Sequence, residues 1–407
     1  MKLLVGREVR LLVVANFLIA VGDSLLAIVL AVWTKDLTGS NSLAGGIYVA
    51  LLIPSLAGPA AGPMIDTFPA RRILVCANAI TIAALAPMML GSQTPGVWLL
   101  FAVALVYGAL AVIYQGCRTV IVVQVVPPNQ VSRVNSVLRT SRVMLSLVGP
   151  VIGVAIYSSF GGPIVATVAA ITLGGSIVCL MYMPTRKASQ HPDGVLDRRF
   201  SAGARYIVAS RGLRLFLGGI VLALSVVGLF SVVELPVLDH LGLSATYLGP
   251  LTGLEGLGAL GGGVLAPRLC DSVGEVRLVA IGCVLQATAG LLLVTGSLVP
   301  LLVAVILYGA GLPMTLIGMD TMFMNRTPIH LQGRVSTAVE ALTGIPLVFS
   351  FAVASGAVAF INFRLIALVM AVGTLLALPL MMKARLHDGE SPSASPFSEG
   401  ATSIESS

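Results

Sequence analysis

Apolar runs long enough to cross a bilayer follow one another along nearly the whole chain. No other feature limits the possible folds as tightly. About 20 consecutive apolar residues span the hydrocarbon core as a helix. The runs and their polar breaks predict helices at roughly 9–33, 43–64, 73–91, 97–118, 133–158 and 163–183, then at 214–237, 246–266, 277–297, 299–323, 334–357 and 364–383. The first run, from Val9 to Trp33, is too long for the apolar core of a signal peptide, and equal runs follow it. Hydrophobic residues make up 57% of the 407 residues and charged residues only 10%. A soluble domain carries about 25% charged residues, so lipid must cover most of this surface.

The polar segments divide the chain. Residues 1–183 hold six predicted spans, 184–213 form a basic linker, 214–385 hold six more, and 386–407 read as a disordered tail rich in Ser, Pro and Glu. The linker carries Arg186, Lys187, Arg198, Arg199, Arg205 and Arg211, with Arg214 just beyond it. Of the 24 Lys and Arg, only Lys35 and Arg364 fall opposite the linker side, and Arg139 and Arg142 lie inside the fifth span. The positive-inside rule then places both termini in the cytoplasm of a plasma-membrane protein. This topology also accounts for the formal charge of +7 without a nucleic-acid partner. Trp33 and Trp98 are expected at the outer interface, where indole rings favour the headgroup level. Cys76, Cys117, Cys179, Cys270 and Cys283 lie in or beside apolar runs without a CxxC, so neither a disulfide framework nor a zinc site is expected.

The two halves are related by a shift of about 201 residues. It pairs Arg133-Val134-Asn135-Ser136 with Arg334-Val335-Ser336-Thr337, Gly62 with Gly263, Tyr107 with Tyr308 and Pro127 with Pro328. Two parallel six-helix repeats are a transporter architecture, with the solute site between them near the midplane. The fold class expected is therefore an all-α membrane protein of twelve transmembrane helices in two pseudo-symmetric bundles. Such a pathway fits within one chain, so a monomer is expected.

Gly62-Pro63-Met64-Ile65-Asp66, followed by Arg71 and Arg72, resembles the loop motif of the major facilitator superfamily, with Thr67 and Pro69 departing from the usual pattern. Gly149-Pro150-Val151-Ile152-Gly153 is similar to the motif its antiporters carry in the fifth helix, and Ser350 and Phe351 stand at the corresponding place in the second half. The resemblance covers about residues 8–385. Gly22-Asp23-Ser24 and Leu37-Thr38-Gly39-Ser40 resemble the branch of macrolide-type efflux pumps and siderophore exporters. The fourth-helix Arg of many drug antiporters is missing. The resemblance implies a switch role for Asp66. It also implies a cavity lined by the first, fourth, seventh and tenth helices, making Asn16, Asp23, Tyr107, Tyr114, Gln115, Tyr308 and Met314 candidates for solute contact.

Uphill transport needs an energy source. No Gly-x-x-x-x-Gly-Lys-Ser/Thr loop for ATP occurs, so a proton gradient is expected and no cofactor. A carboxyl group in apolar surroundings holds its proton more readily than one in water and can carry it at neutral pH. Asp23, Glu255, Glu234 and Asp320 are the candidates. Asp23 is a proton site or a counter-charge for a cation, or else is satisfied by Ser24 or a neighbouring helix. Glu255 carries a proton or makes a packing-level hydrogen bond. Glu234 is an outer gate or a snorkelling acid, and Asp320 a cytoplasmic gate or a solvated helix end. Asp66, Arg118, Arg139 and Glu340 form a second charged group on the cytoplasmic side, read as a switch between the halves or a static topology anchor. Gly149, Pro150 and Gly153 remove side-chain bulk and one backbone donor, which permits close helix approach and a kink.

Gly256-Leu257-Gly258-Ala259-Leu260-Gly261 fits a dinucleotide fingerprint but lies inside an apolar span, where helix contact explains the glycines. His191, His240, His330 and His387 form no metal or catalytic pattern, so no enzyme is expected. The function read from the chain is proton-driven antiport exporting an amphipathic or cationic organic compound. An importer or symporter on the same fold and a non-transporting membrane receptor or assembly protein are the alternatives.

Overall fold

The structure, a computed structural model, describes residues 7–57, 68–90, 96–126, 130–183, 205–328 and 332–386. Among the described residues every regular element is a helix. The first six are α1 (Arg7–Thr38), α2 (Asn41–Leu52, continued by a 3-10 turn at Ile53–Ala57), α3 (Ala70–Leu90), α4 (Val97–Val125), α5 (Val131–Phe160) and α6 (Gly162–Met181). The seventh is in two pieces, α7a (Arg211–Leu224) and α7b (Val227–His240). Then come α8 (Leu248–Val273), α9 (Glu275–Val294), α10 (Leu298–Arg326), α11 (Gln332–Ala357) and α12 (Phe363–Leu386). The expected linker and tail lie mostly outside the described residues, but Arg211, expected in the linker, opens α7a.

Nine of the described helices are long and apolar enough to cross a membrane, counting α7a and α7b together. The apolar stretches of α2 and of the far half of α5 are shorter. Serines cap several starts: Ser40 Oγ accepts from the Leu43 N–H at 3.3 Å and Ser210 Oγ from the Leu213 N–H at 3.5 Å. Gly161 (φ 82°) and Gly274 (φ 85°) join α5 to α6 and α8 to α9, in backbone conformations open to glycine alone.

Successive helices reverse direction, which sorts charge to the two ends. Arg7, Arg10, Arg71, Arg72, Arg118, Arg268, Arg277 and Arg326 lie toward one end, called here the basic end. Lys35, Asp36, Asp239 and Arg364 lie at the other, the Lys35 end. Trp98 stands exposed at the Lys35 end, as expected of an interface anchor, but Trp33 does not. It is buried, its ring 6.0 Å from that of Tyr157 and pressed against Gly162. The close turn into α6 needs a flat filler there, and that packing outweighs the headgroup preference.

Two large apolar cores hold the helices. One lies within α1–α6. The other lies mainly within α7–α12 but also takes in Ile207 just before α7a, Leu25, Ile28, Val29 and Val32 of α1, Ala44 of α2, Val154 of α5 and Val165 of α6. The bundles therefore share a core toward the Lys35 end. A Cβ on Gly249 of α8 would lie 2.8 Å from Val154, and one on Gly253 would lie 2.6 Å from Val151. On the α2–α11 seam, Ser355 Oγ donates to the Ser42 carbonyl at 2.6 Å.

Toward the basic end the same faces part. Val148 and Met144 continue the Val151 stripe of α5 and are 51% and 58% exposed. Leu257 and Val264 continue the Gly253 stripe of α8 and are each 62% exposed. Among the described residues, the seam is sealed at one end and open at the other.

Candidate functional site

Gly149 and Gly153 bring α5 against α1. A Cβ on Gly149 would collide with Ser24, and one on Gly153 would lie 2.7 Å from the Leu25 carbonyl oxygen. Pro150 is buried within the same continuous helix. Two turns from Gly149 toward the basic end, on the same stripe, is Arg142. Its Nη2 lies 3.6 Å from Asp23 Oδ2, while the Tyr107 hydroxyl donates to Asp23 Oδ1. Arg142 of α5 thus places a guanidinium beside Asp23. The Tyr114 hydroxyl donates to Asn16 Oδ1, leaving Asn16 Nδ2 buried without a partner. Asp23, Tyr107 and Tyr114 line a cavity of 20 Å³ with Asn78 and Thr81 of α3. That is room for water rather than for an organic solute.

A second pole forms from α7b, α8, α10 and α2. Glu234 is 4% exposed and its Oε1 has no hydrogen-bond partner. Glu255 lies close enough for its charge to act on Glu234, and both act on Tyr48 of the first bundle and on Tyr308. Tyr48 in turn packs 5.7 Å from Phe351 of α11, so this pole lies at the junction of the bundles. Glu255 sits where α8 presses on α10, since a Cβ on Gly309 would overlap its backbone. Ser24 opposes Gly149 and Val151 opposes Gly253, so Asp23 and Glu255 lie at similar depths in the two halves.

Tyr308 serves this pole as support. Its ring stacks on Phe230 at 3.7 Å and 6°, and its hydroxyl donates to the Val227 carbonyl at 3.2 Å. The neighbouring Gly228 N–H donates to Ser350 Oγ at 2.9 Å. These two side chains satisfy backbone groups at the break between α7a and α7b, as backbone at membrane depth requires. Ser350, the counterpart of Gly149, thus receives α7b where Gly149 receives α1.

At the Lys35 end an ion pair closes the seam. Lys35 Nζ lies 2.6 Å from Asp239 Oδ2, and Asn41 Nδ2 donates to the same oxygen at 2.7 Å. Asp36 accepts from the Tyr157 hydroxyl at 2.9 Å beside it. Sequence reading passed over Asp239 and Asn41; the signal available was Lys35, a rare cation opposite the basic side.

The remaining candidates are dispersed. Met314 packs with Ala266 and Leu278 between α8, α9 and α10. Gln115, Asp320 and Glu340 are exposed. Arg118 is half-buried, and its charge acts on Tyr114 together with that of Arg142. Arg71 donates to the carbonyls of Met183 and Met181, the latter at 2.6 Å, and so closes the end of α6. Arg72 is exposed. Gly62, Asp66 and the side chain of Arg139 lie outside the described residues. Among the described residues no cluster of His, Cys, Asp or Glu is arranged to hold a metal.

The sequence pattern of the Major Facilitator Superfamily matches residues 12–345 and 215–406. The fold is similar to that of the nucleoside transporter NupG, with a TM-score of 0.75 at 12% identity, over 93% of this chain and 99% of that one. A bacterial homologue of the iron transporter ferroportin in its inward-facing state gives 0.69 at 17% identity, over 93% and 98%. A bacterial homologue of the human lysosomal transporter Spinster gives 0.68 at 14% identity, over 95% and 98%. No curated protein matches the chain in sequence.

Proposed function

The chain belongs to the Major Facilitator Superfamily, and from that premise we propose that it exports a small amphipathic or cationic organic compound in exchange for protons. It is a transporter rather than an enzyme. The basic end faces the cytoplasm of a plasma membrane, so the state described is open inward. The cycle needs a proton gradient and no cofactor, and one chain in lipid suffices for the pathway.

The observation that carries this reading is the one-ended seam. The bundles share a core and an ion pair at the Lys35 end, while the same helix faces part toward the basic end. Alternating access requires that asymmetry, with its reversal in the other state. Glu234 supports the proton role. A buried carboxyl with an unpartnered oxygen persists where it gains a proton or a cation during the cycle. Because Asp23 already faces Arg142, attraction of a cation falls to Glu234 and Glu255.

The test is transport by purified protein in liposomes loaded with a pH-sensitive dye. A proton gradient is imposed and lipophilic cations, macrolides and siderophores are added in turn. Proton flux opposite to solute flux, lost in Glu255→Gln, supports antiport. Flux of both in one direction replaces it with symport.

A further inference from the structure

We infer that Arg142 anchors a carboxylate on the transported solute, so that the solute carries an anionic group as well as its cationic one. The inference rests on the reading that solute passes between the bundles, and it narrows the solute class for that pathway.

A guanidinium has five N–H donors in a planar fork suited to a carboxylate. Arg142 uses almost none of them. Among the described residues its one charged partner, Asp23, stands 3.6 Å from Nη2, beyond hydrogen-bond length, and Nη1 is covered without a partner. Asp23 divides its negative charge between Arg142 and the Tyr107 hydroxyl, which donates to its other oxygen. A membrane-embedded cation left this incomplete needs an acceptor at some stage of the cycle.

The surroundings say where that acceptor comes from. Arg142 is 34% exposed, at the level where Met144 and Val148 show that the α5–α8 seam has opened. Arg118 adds a second positive charge near Tyr114. The first-bundle pole thus holds Arg142 and Arg118 against one Asp, whereas the second-bundle pole holds Glu234 and Glu255. An amphoteric solute fits between them, with its carboxylate toward Arg142 and its cationic group toward the two glutamates.

The test uses detergent-purified full-length protein and phenylglyoxal, which modifies arginine. Modification of Arg142 is followed by peptide mass spectrometry in glutamate, 4-aminobenzoate or benzoate, against chloride at equal ionic strength. A carboxylate is expected to slow modification of Arg142 at least threefold and to leave the exposed Arg72 unaffected. Equal rates in all salts overturn the anchor. So does protection by phosphatidylglycerol with none by a carboxylate, since that identifies a lipid phosphate instead. In Arg142→Gln the rise in melting temperature produced by the protecting carboxylate should vanish, and its persistence also overturns the anchor. Protection without proton-coupled flux would leave the anchor standing and remove the antiport reading. Flux lost in Glu255→Gln but no protection would do the reverse.

Discussion

Lys35 Nζ lies 2.6 Å from Asp239 Oδ2, joining α1 to α7b across 204 positions of sequence. The Lys35 side chain is only 12% exposed, because Asp239 and the Gly39 carbonyl take up its ammonium group. A partly exposed pair of this kind contributes about 0.5–1 kcal/mol. That is enough to shift an equilibrium between two open states severalfold without unfolding either. Lys35→Ala should therefore raise thiol labelling at Val154→Cys, in a background without the native cysteines, by about two- to fivefold from the Lys35 side. Lys35→Asp with Asp239→Lys should restore wild-type labelling. Labelling unchanged in the single variant would remove the pair from the gate.

Gly149 tests the contact that positions Asp23. A methyl group there meets Ser24 directly. Gly149→Ala should cost about 1–3 kcal/mol, seen as a lower melting temperature, and should reduce transport by separating Asp23 from Arg142. Ser24→Gly removes the atom struck first and should recover part of both losses. No recovery would mean that Gly149 matters for some other reason.

Ser350 tests the break in α7. Replacing it by Ala leaves the Gly228 N–H without its acceptor. Polar contacts between membrane helices average about 0.6 kcal/mol and reach about 1.7, and this one supports irregular backbone, so a value near the upper end is expected. Ser350→Thr keeps the acceptor and should behave closer to wild type. Equal melting temperatures for Ser350→Ala and wild type would show that α7b does not depend on this bond.

Glu234 and Glu255 separate coupling from packing. Gln at either position keeps the volume and removes the exchangeable proton. Each variant should retain solute exchange between equal pools and lose at least about tenfold of proton-driven accumulation, a change of about 1.4 kcal/mol in the driven step. If exchange and accumulation fall together, the carboxyl group is structural.

The helices were legible because each needs only a local apolar run, and the observed α1, α3, α6, α9 and α12 follow the expected spans within a few residues. Asp23, Glu234 and Glu255 were legible for the same reason, since an acid in such a run is conspicuous. Arg142 stands just as plainly inside a span, but its significance depends on Asp23, 119 positions earlier on another helix. Asp239 is an ordinary acid at a helix end until Lys35 comes beside it. Arg71 follows the loop motif in sequence, but its bonds to the end of α6 were not legible, because the carbonyls it reaches are 110 and 112 positions away. The division of α7 carries no local mark: Pro236, the evident breaker, lies inside the continuous α7b, and the interruption falls at Ser225 and Val226.

That interruption makes the two halves mechanically unlike. α1 is one rod of 32 residues, so whatever moves its Lys35 tip also moves the stretch that bears Asp23. α7b carries Asp239 on a separate piece and can swing at Ser225 and Val226 while α7a keeps its place. A stiff arm facing a jointed one need not keep step with it. The Lys35 end can shut before the basic end opens, and a stage sealed from both sides then lies between the two openings. A chain with two rigid arms would exchange one opening directly for the other, and at the crossover it would stand open to both sides.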